Sequence, residues 1–479
     1  MQPTPPLPQD IWERTPREAQ DSILALEARV AALEATVQDL RERLQQHSRT
    51  SSRPPSSDAP NRQRPRGTPS GRKPGGHVGH PGHTRTLVTV EEVDGLLPLK
   101  PGECARCQPP LRGTDAFPQR HQMLEMPPIK PLVTEYQLHQ LVCPACGDLT
   151  RAAWPQGVAT LASGPRVQAM TARLTGASRL SKRLTQGLWA EIFGLPRSLG
   201  TLANLEQTMA RTLAEPVAQA RTSVPQQATL SVEETGWRQG RERAWLWVAV
   251  STWGTVLVVR LSRGGPVARE LLGDALDGIV VSDRWSGSTW YPVRWRPWCW
   301  AHLLRDIEAM IERGDGSREI GESLKTVAQR MFHWWHRVRD GTLQRSSFRS
   351  SMRPVRRECI DWLAAGSRCG VARTEGVCRE LLKRREAWWT FVHLDGVEPT
   401  NNAAERSMRP GVLWRKHSCG THSAQGSRCV EALMTVVATR KQQHRNPLDY
   451  RTAACEATLH DEAVPSLLPP CSSQHQAVA

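Results

Sequence analysis

Ile279-Val280-Val281-Ser282-Asp283 is the stretch whose reading decides the fold. Residues 279–282 read as a short buried strand, and a carboxylate follows at its C-terminal end. In an α/β sheet that end of a strand faces the ligand crevice, so Asp283 is the first candidate ligand for a catalytic divalent cation. Upstream, residues 229–238, 244–251 and 255–261 read as three strands. Trp253-Gly254 marks a turn that makes the last two an antiparallel hairpin. Residues 266–276 read as a helix with Pro266 near its start. Residues 298–300 are a candidate fifth strand running into a helix at 302–311.

This order of strands and helices is that of an α/β ribonuclease-H-like core, which carries carboxylates on its first strand, its fourth strand and a late helix. The first-strand candidates are Glu233 and Glu234. Side chains alternate along a strand; Leu230 and Val232 mark the core face, which Glu234 shares and Glu233 does not, so Glu233 is preferred. The late-helix candidate is Glu405, in Asn401-Asn402-Ala-Ala-Glu405-Arg406-Ser-Met-Arg409-Pro410. A local reading competes here: Asn402 as a cap with Glu405 at the third helical position, and Arg409 paired to Glu405 one turn on. Between the fourth strand and Glu405, Ile320, Leu324, Val327, Met331 and Trp335 share one helical face, and further helices are expected around 348–363 and 377–389. An all-α insertion at about 302–395 follows, with Trp334-Trp335 and Trp388-Trp389 read as its core instead of as base-stacking platforms.

The net charge of +16 points to a polyanionic partner, nucleic acid ahead of a membrane surface. No cationic and apolar leader opens the chain, and no apolar run approaches the roughly 20 residues of a membrane span. A cytoplasmic protein without a membrane partner is expected. Its 12 cysteines are then reduced, and clustered pairs suggest metal.

Toward the N-terminus, Ile23, Leu26, Val30, Leu33, Val37, Leu40 and Leu44 form an a/d seam over about three heptads. Residues 1–45 are expected to pair chains as a coiled coil; an amphipathic helix packed on its own chain is the alternative. Residues 46–86 read as a flexible basic linker able to lie along phosphates, with His77, His80 and His83 in a Gly/Pro-rich run that offers a metal no rigid scaffold. Cys104-x-x-Cys107 and Cys143-x-x-Cys146 within residues 87–155 are two knuckles suited to one structural Zn²⁺; four unrelated thiols are the alternative. Residues 160–223 read as a helical, DNA-binding segment, 224–455 as the catalytic core with its insertion, and 456–479 as a tail.

The sequence resembles the DDE transposases of bacterial insertion sequences of the IS66 type over nearly its whole length. The resemblance rests on the zipper, the Gly75-Gly76-x-x-Gly79-His80-Pro81-Gly82 run, the two knuckles and the core motifs. Those motifs are Glu233-Glu234-Thr235-Gly236-Trp237, Ser282-Asp283-Arg284-Trp285, Cys299-Trp-Ala-His302-Leu-Leu-Arg305, the Asn401–Pro410 segment, Arg415-Lys416 and Asn446-Pro447 near Tyr450. It implies two-metal phosphoryl transfer on DNA, with Glu233, Asp283 and Glu405 holding two Mg²⁺ or Mn²⁺ ions about 4 Å apart. It also implies recognition of terminal inverted repeats and target DNA, a homo-oligomer of at least two chains, a nucleoid-associated location in a bacterium, and small accessory proteins from the same element. His302, Arg305, Arg406, Arg409, Arg415 and Lys416 are candidates for phosphate contacts, against plain surface or pairing roles. One departure matters: the family reads Asp-Glu-Thr where this chain has Glu233-Glu234-Thr235. A carboxylate one methylene longer at a demanding octahedral site opens a second reading, a DNA-binding relic that no longer catalyses.

Overall fold

The computed structural model describes residues 8–45, 85–158, 162–273, 276–283 and 290–469. The basic linker to residue 84, its three histidines, and residues 284–289 and 470–479 lie outside the described residues. At the N-terminus, α1 (Gln9–Arg14) leads into α2 (Arg17–Gln45), which carries the heptad seam. Leu26, Val30, Leu33 and Val37 on that seam are all exposed.

Residues 85–158 contain one small antiparallel hairpin, β1 (Gln140–Val142) with β2 (Leu149–Arg151), and no buried residue. Four helices follow: α3 (Pro165–Ala172), α4 (Lys182–Glu191), α5 (Leu199–Thr212) and α6 (Ala214–Ser223). The helical reading of residues 160–223 is interrupted between Leu174 and Leu180. A π turn at Arg173–Ala177 is followed by Arg179 with φ of 57°, and a new helix starts behind the Ser181 cap.

The sheet is built from β3 (Thr229–Gln239), β4 (Glu242–Val250), β5 (Thr255–Arg260) and β6 (Ile279–Val281), in the order β5-β4-β3-β6. β3, β4 and β5 are antiparallel neighbours, while β6 runs parallel to β3. Gly240, with φ of 61°, allows the tight turn from β3 to β4. The crossover from β5 to β6 is α7 (Gly265–Leu272), with Pro266 in its first turn. The expected fifth strand is reduced to a single parallel bridge, Ser282 to Trp298, because helix α8 (Trp300–Arg313) has already begun two residues later.

The helical insertion continues with α9 (Asp315–Arg339), α10 (Arg345–Gly366), α11 (Ala372–Lys383) and the short α12 (Thr390–His393). Trp335, Trp388 and Trp389 are buried with Trp300, Phe348 and Phe391, so this block has an aromatic core of its own. That core reaches the sheet through Ile279, Val281 and Trp298.

Three further helices follow among the described residues: α13 (Asn402–Ser418), α14 (Ala424–Gln442) and α15 (Pro447–Leu459). Both sheet faces are buried. Leu230, Val232, Trp247, Ala249, Val256 and Val258 face one core, which also takes in Met209, Leu213 and Val217 of α5 and α6 and their connection. The helical segment is thus packed onto the sheet. Trp237, Leu246, Val248, Leu257 and Val259 face Ala404 and Met408 of α13 and Val430 and Met434 of α14. Gly411 lets α13 lie flat on β4, since a Cβ there would run into the Leu246 side chain.

One group in α15 carries a cost. The Arg451 side chain is fully buried, and its three guanidinium nitrogens have no hydrogen-bond partner among the described residues. Burial, followed by the charge of Arg173, pushes its pKa down to about 10. A buried charge without a partner destabilises, and an apolar side chain of similar volume removes the penalty. Arg451→Met is therefore expected to stabilise the fold by about 1 kcal/mol or more, raising Tm by about 2–4 °C in a thermal melt. A lower Tm would show that the guanidinium is compensated.

Candidate active site

Strand register brings the first two carboxylates together. Thr229, Leu230 and Ser231 pair in parallel with Ile279, Val280 and Val281. Two residues further along each strand stand Glu233 and Asp283, on the same face of the sheet by alternation. That face is the one α13 covers, and Glu405 sits in the first turn of α13. Glu234 points to the opposite face and is held by Arg263, whose Nε donates to its Oε1 at 2.8 Å.

Glu233 feels the charges of the other carboxylates. Glu233 is pushed up to about 9, first by burial, then by the charges of Asp283, Glu234 and Glu405. Burial also raises Glu405, with the Arg305 charge opposing. Glu234 rises to about 7 through burial and the Asp283 charge, against the pull of Arg263. Concentrated negative charge of this kind, half-buried, is a setting that a divalent cation relieves.

The local capping reading of Glu405 is not what the helix adopts. Asn401 is the N-cap, and its side chain makes no cap hydrogen bond. Instead the fully buried Asn401 spans to β3: its Nδ2 donates to Val232 O at 2.8 Å and to Glu233 Oε2 at 2.9 Å. Its backbone N–H donates to Cys299 Sγ at 3.2 Å. Asn401 Oδ1 and Glu405 Oε1 are buried with no hydrogen-bond partner among the described residues. Ligand atoms of Cys299, His302 and Glu405 all lie within 4.8 Å of one another. The donors gathered within reach of Glu405 are thus the sulfur and nitrogen of Cys299 and His302 on α8, a set that could hold a cation, while Glu233 and Asp283 stand outside that group.

Asn401 and Cys299 were within quoted motifs, but no local pattern singled them out. Cys299 lies three residues before His302, and that spacing at the start of a helix is the signal that could have marked it. Of the cationic candidates, Arg406, Arg409 and Lys416 are exposed on α13, and Arg305 lies by Glu405. Arg415 is fastened to β3, its Nη1 donating to Thr235 Oγ1 at 2.8 Å and Gly236 O at 2.7 Å.

The four knuckle cysteines lie elsewhere, on exposed turns. Cys104 and Cys107 stand 3.4 Å apart, sulfur to sulfur. Backbone N–H groups of Arg106 and Cys107 lower the Cys104 thiol, and those of Cys146 and Ala145 lower Cys143. One thiol of each pair is thus favoured as a thiolate, while the hydrogen bond with Cys104, followed by burial, raises Cys107. The two pairs do not converge into one coordination sphere: among the described residues the metal-compatible group of three is Cys299, His302 and Glu405.

A pH dependence follows from Glu233. Below about 4.5 both folded and unfolded chains hold its proton; between there and about 9 only the folded chain does. Without metal, this group costs stability progressively as pH rises across that window. Glu233→Gln is expected to flatten that decline, read as the difference in Tm between the two metal-free proteins from pH 5 to 9. A difference that stays constant across the window would show that the carboxylate is not held in a charge-repelling site.

No described helix is long and apolar enough to cross a membrane. Residues 3–86 match a family of unknown function. An uncharacterized protein, y4qI, of Sinorhizobium fredii (strain NBRC 101917 / NGR234) is 27% identical over 162 residues, covering 32% of this chain and 29% of that relative. The chain therefore spans under a third of the length of this relative. Residues 177–429, more than half of the chain and inclusive of β3 to β6, the helical insertion and α13, match a further family, and by that match the chain belongs to the Transposase IS66 family.

Proposed function

We propose that this protein is a DDE transposase that binds the ends of a mobile element and cuts and joins DNA strands by metal-dependent phosphoryl transfer. The observation that carries the reading is the approach of Glu233, Asp283 and Glu405 from two parallel strands and a late helix, the charges of Asp283 and Glu405 both raising Glu233. The strand order β5-β4-β3-β6, with β6 parallel to β3 and a remnant bridge at Trp298, supports a ribonuclease-H-like core. Divalent cations bound there would neutralise the cluster and activate the attacking oxygen.

The chain's own residues have separate tasks. Glu233, Asp283 and Glu405 would supply the hard oxygen ligands, and His302 and Cys299 border Glu405 from α8. Asn401 holds the Glu233 carboxylate in one orientation, tied down by its second bond to Val232 O. Arg305 balances Glu405. Exposed Arg406, Arg409 and Lys416 draw the phosphate backbone across α13. The exposed seam of α2 supports pairing of two chains, which joining two element ends requires. The two thiol knuckles support one structural Zn²⁺ on closing together, and the largely exposed apolar residues of 85–158 would then gain a core.

The test is a labelled duplex carrying the element's terminal inverted repeat, incubated with the full chain and Mg²⁺ or Mn²⁺. Binding that weakens steeply with salt, together with metal-dependent nicking at the repeat end, is expected. Binding without cleavage in either metal would leave only the relic reading, and no binding would remove both.

A further inference from the structure

On the flank of α13 next to the carboxylates lies a cavity of about 570 Å³, within the size range of small-ligand sites. Its floor is apolar: Val250 at the end of β4 and Leu433, Met434 and Val437 on α14. Its rim holds three cations, Arg179, Arg406 and Lys441, and no carboxylate lines it. These three side chains make no ion pair among the described residues. Arg406 and Lys441 are exposed and Arg179 half-buried, so the cavity opens on its cationic side.

The backbone around it is unusual. The wall opposite α13 is the π turn at Arg173–Ala177, and Arg179 just beyond holds a left-handed φ of 57°. Departures of both kinds cost free energy and concentrate at functional sites. On α13, Ala403, Arg406, Ser407 and Pro410 line the cavity at helical spacing. Pro410 has no N–H to give to the Arg406 carbonyl one turn earlier. Glu405 precedes Arg406 by one residue, about 100° around the same helix. The one helix thus separates the carboxylates from the cavity.

We propose that this cavity takes one nucleotide extruded from the DNA end, with its base against Val250, Leu433, Met434 and Val437 and its phosphate on Arg179, Arg406 and Lys441. This rests on the transposase reading. A purely apolar site would suit a hydrocarbon, and a bare cationic patch a phosphate. An apolar floor with a cationic rim suits a planar base on a charged backbone. If the DNA end frays as a strand enters the half-buried carboxylate site, a pocket for the displaced base offsets the cost of unstacking.

The experiment uses the terminal-repeat duplex with 2-aminopurine placed in turn at each position around its end, bound to the full chain without divalent metal. Wild type is expected to raise the fluorescence several-fold at one position, as that base leaves the stack. Ala438→Phe, which fills the cavity, is expected to abolish that rise and weaken binding about tenfold, as loss of one stacked base does. The exposed pair Arg406→Gln and Lys441→Gln, which leaves the fold untouched, is expected to shrink the rise and reduce the slope of log affinity against log salt by about two. DNA binding with no fluorescence rise at any position overturns the proposal. So does a rise that persists undiminished in the double glutamine variant. Absence of DNA binding by wild type overturns the transposase reading and this proposal with it.

Discussion

Asp283→Ala is expected to abolish metal-dependent cleavage of element-end DNA, by about a thousandfold or more, while DNA binding persists. The magnitude follows from the several kcal/mol of transition-state stabilisation that a well-placed cation supplies, at a factor of ten per 1.36 kcal/mol. Asp283 stands just past the C-terminal end of β6, and its charge raises both Glu233 and Glu234. Removing it relieves that repulsion but also takes away the charge that favours the buried Arg296, so the metal-free variant is expected to melt close to wild type. A matching rise in Tm on adding Mn²⁺ should be seen for wild type and be largely lost in the variant. Cleavage at a wild-type rate by Asp283→Ala would remove the metal-site reading altogether, and a collapse in Tm would mean that Asp283 serves the fold.

Glu233→Asp is the second large effect, and its sign is informative. If the glutamate were damage to an ancestral aspartate, the reversion would raise activity. The structure favours the opposite outcome. Glu233 Oε2 accepts from Asn401 Nδ2 at 2.9 Å, and Asn401 is itself anchored on Val232 O and buried. An aspartate is one methylene too short to keep that bond from the same backbone position. A misplacement of about 1 Å at a reacting centre costs on the order of 10²-fold, so Glu233→Asp is expected to slow cleavage by about that factor. Asn401→Ala should approach the same defect, because it frees the Glu233 carboxylate without removing it. An increase in rate for Glu233→Asp would instead identify the natural residue as an impairment.

The two variants together distinguish a working site from a relic. A working site loses activity in both. A relic shows none to lose in Asp283→Ala and gains it in Glu233→Asp.

Much of the core was legible in the chain itself. Apolar runs at 229–239, 242–250, 255–260 and 279–281 are strands because both of their faces are buried, and the turn residues between them are short and specific. The order of Glu233, Asp283 and Glu405 along those elements, the heptad seam on α2 and the two thiol knuckles are likewise local patterns, each set by a repeat or spacing that neighbouring residues complete. What needed the tertiary structure is whatever depends on contacts distant in sequence. Alternation gave Leu230 and Val232 a core face and left Glu233 on the other; only the packing of α13 showed that this other face is also a core. Asn401 looked like part of a capping sequence, and its bond to a strand 168 residues away has no trace in its neighbours. The fifth strand shrank to one bridge because α8 begins at Trp300, a competition between sheet edge and helix that is decided by packing against the insertion. The cavity between α13, α14 and the π turn is likewise a product of assembly: its cations are ordinary surface residues in the sequence and share one rim only after the chain has folded.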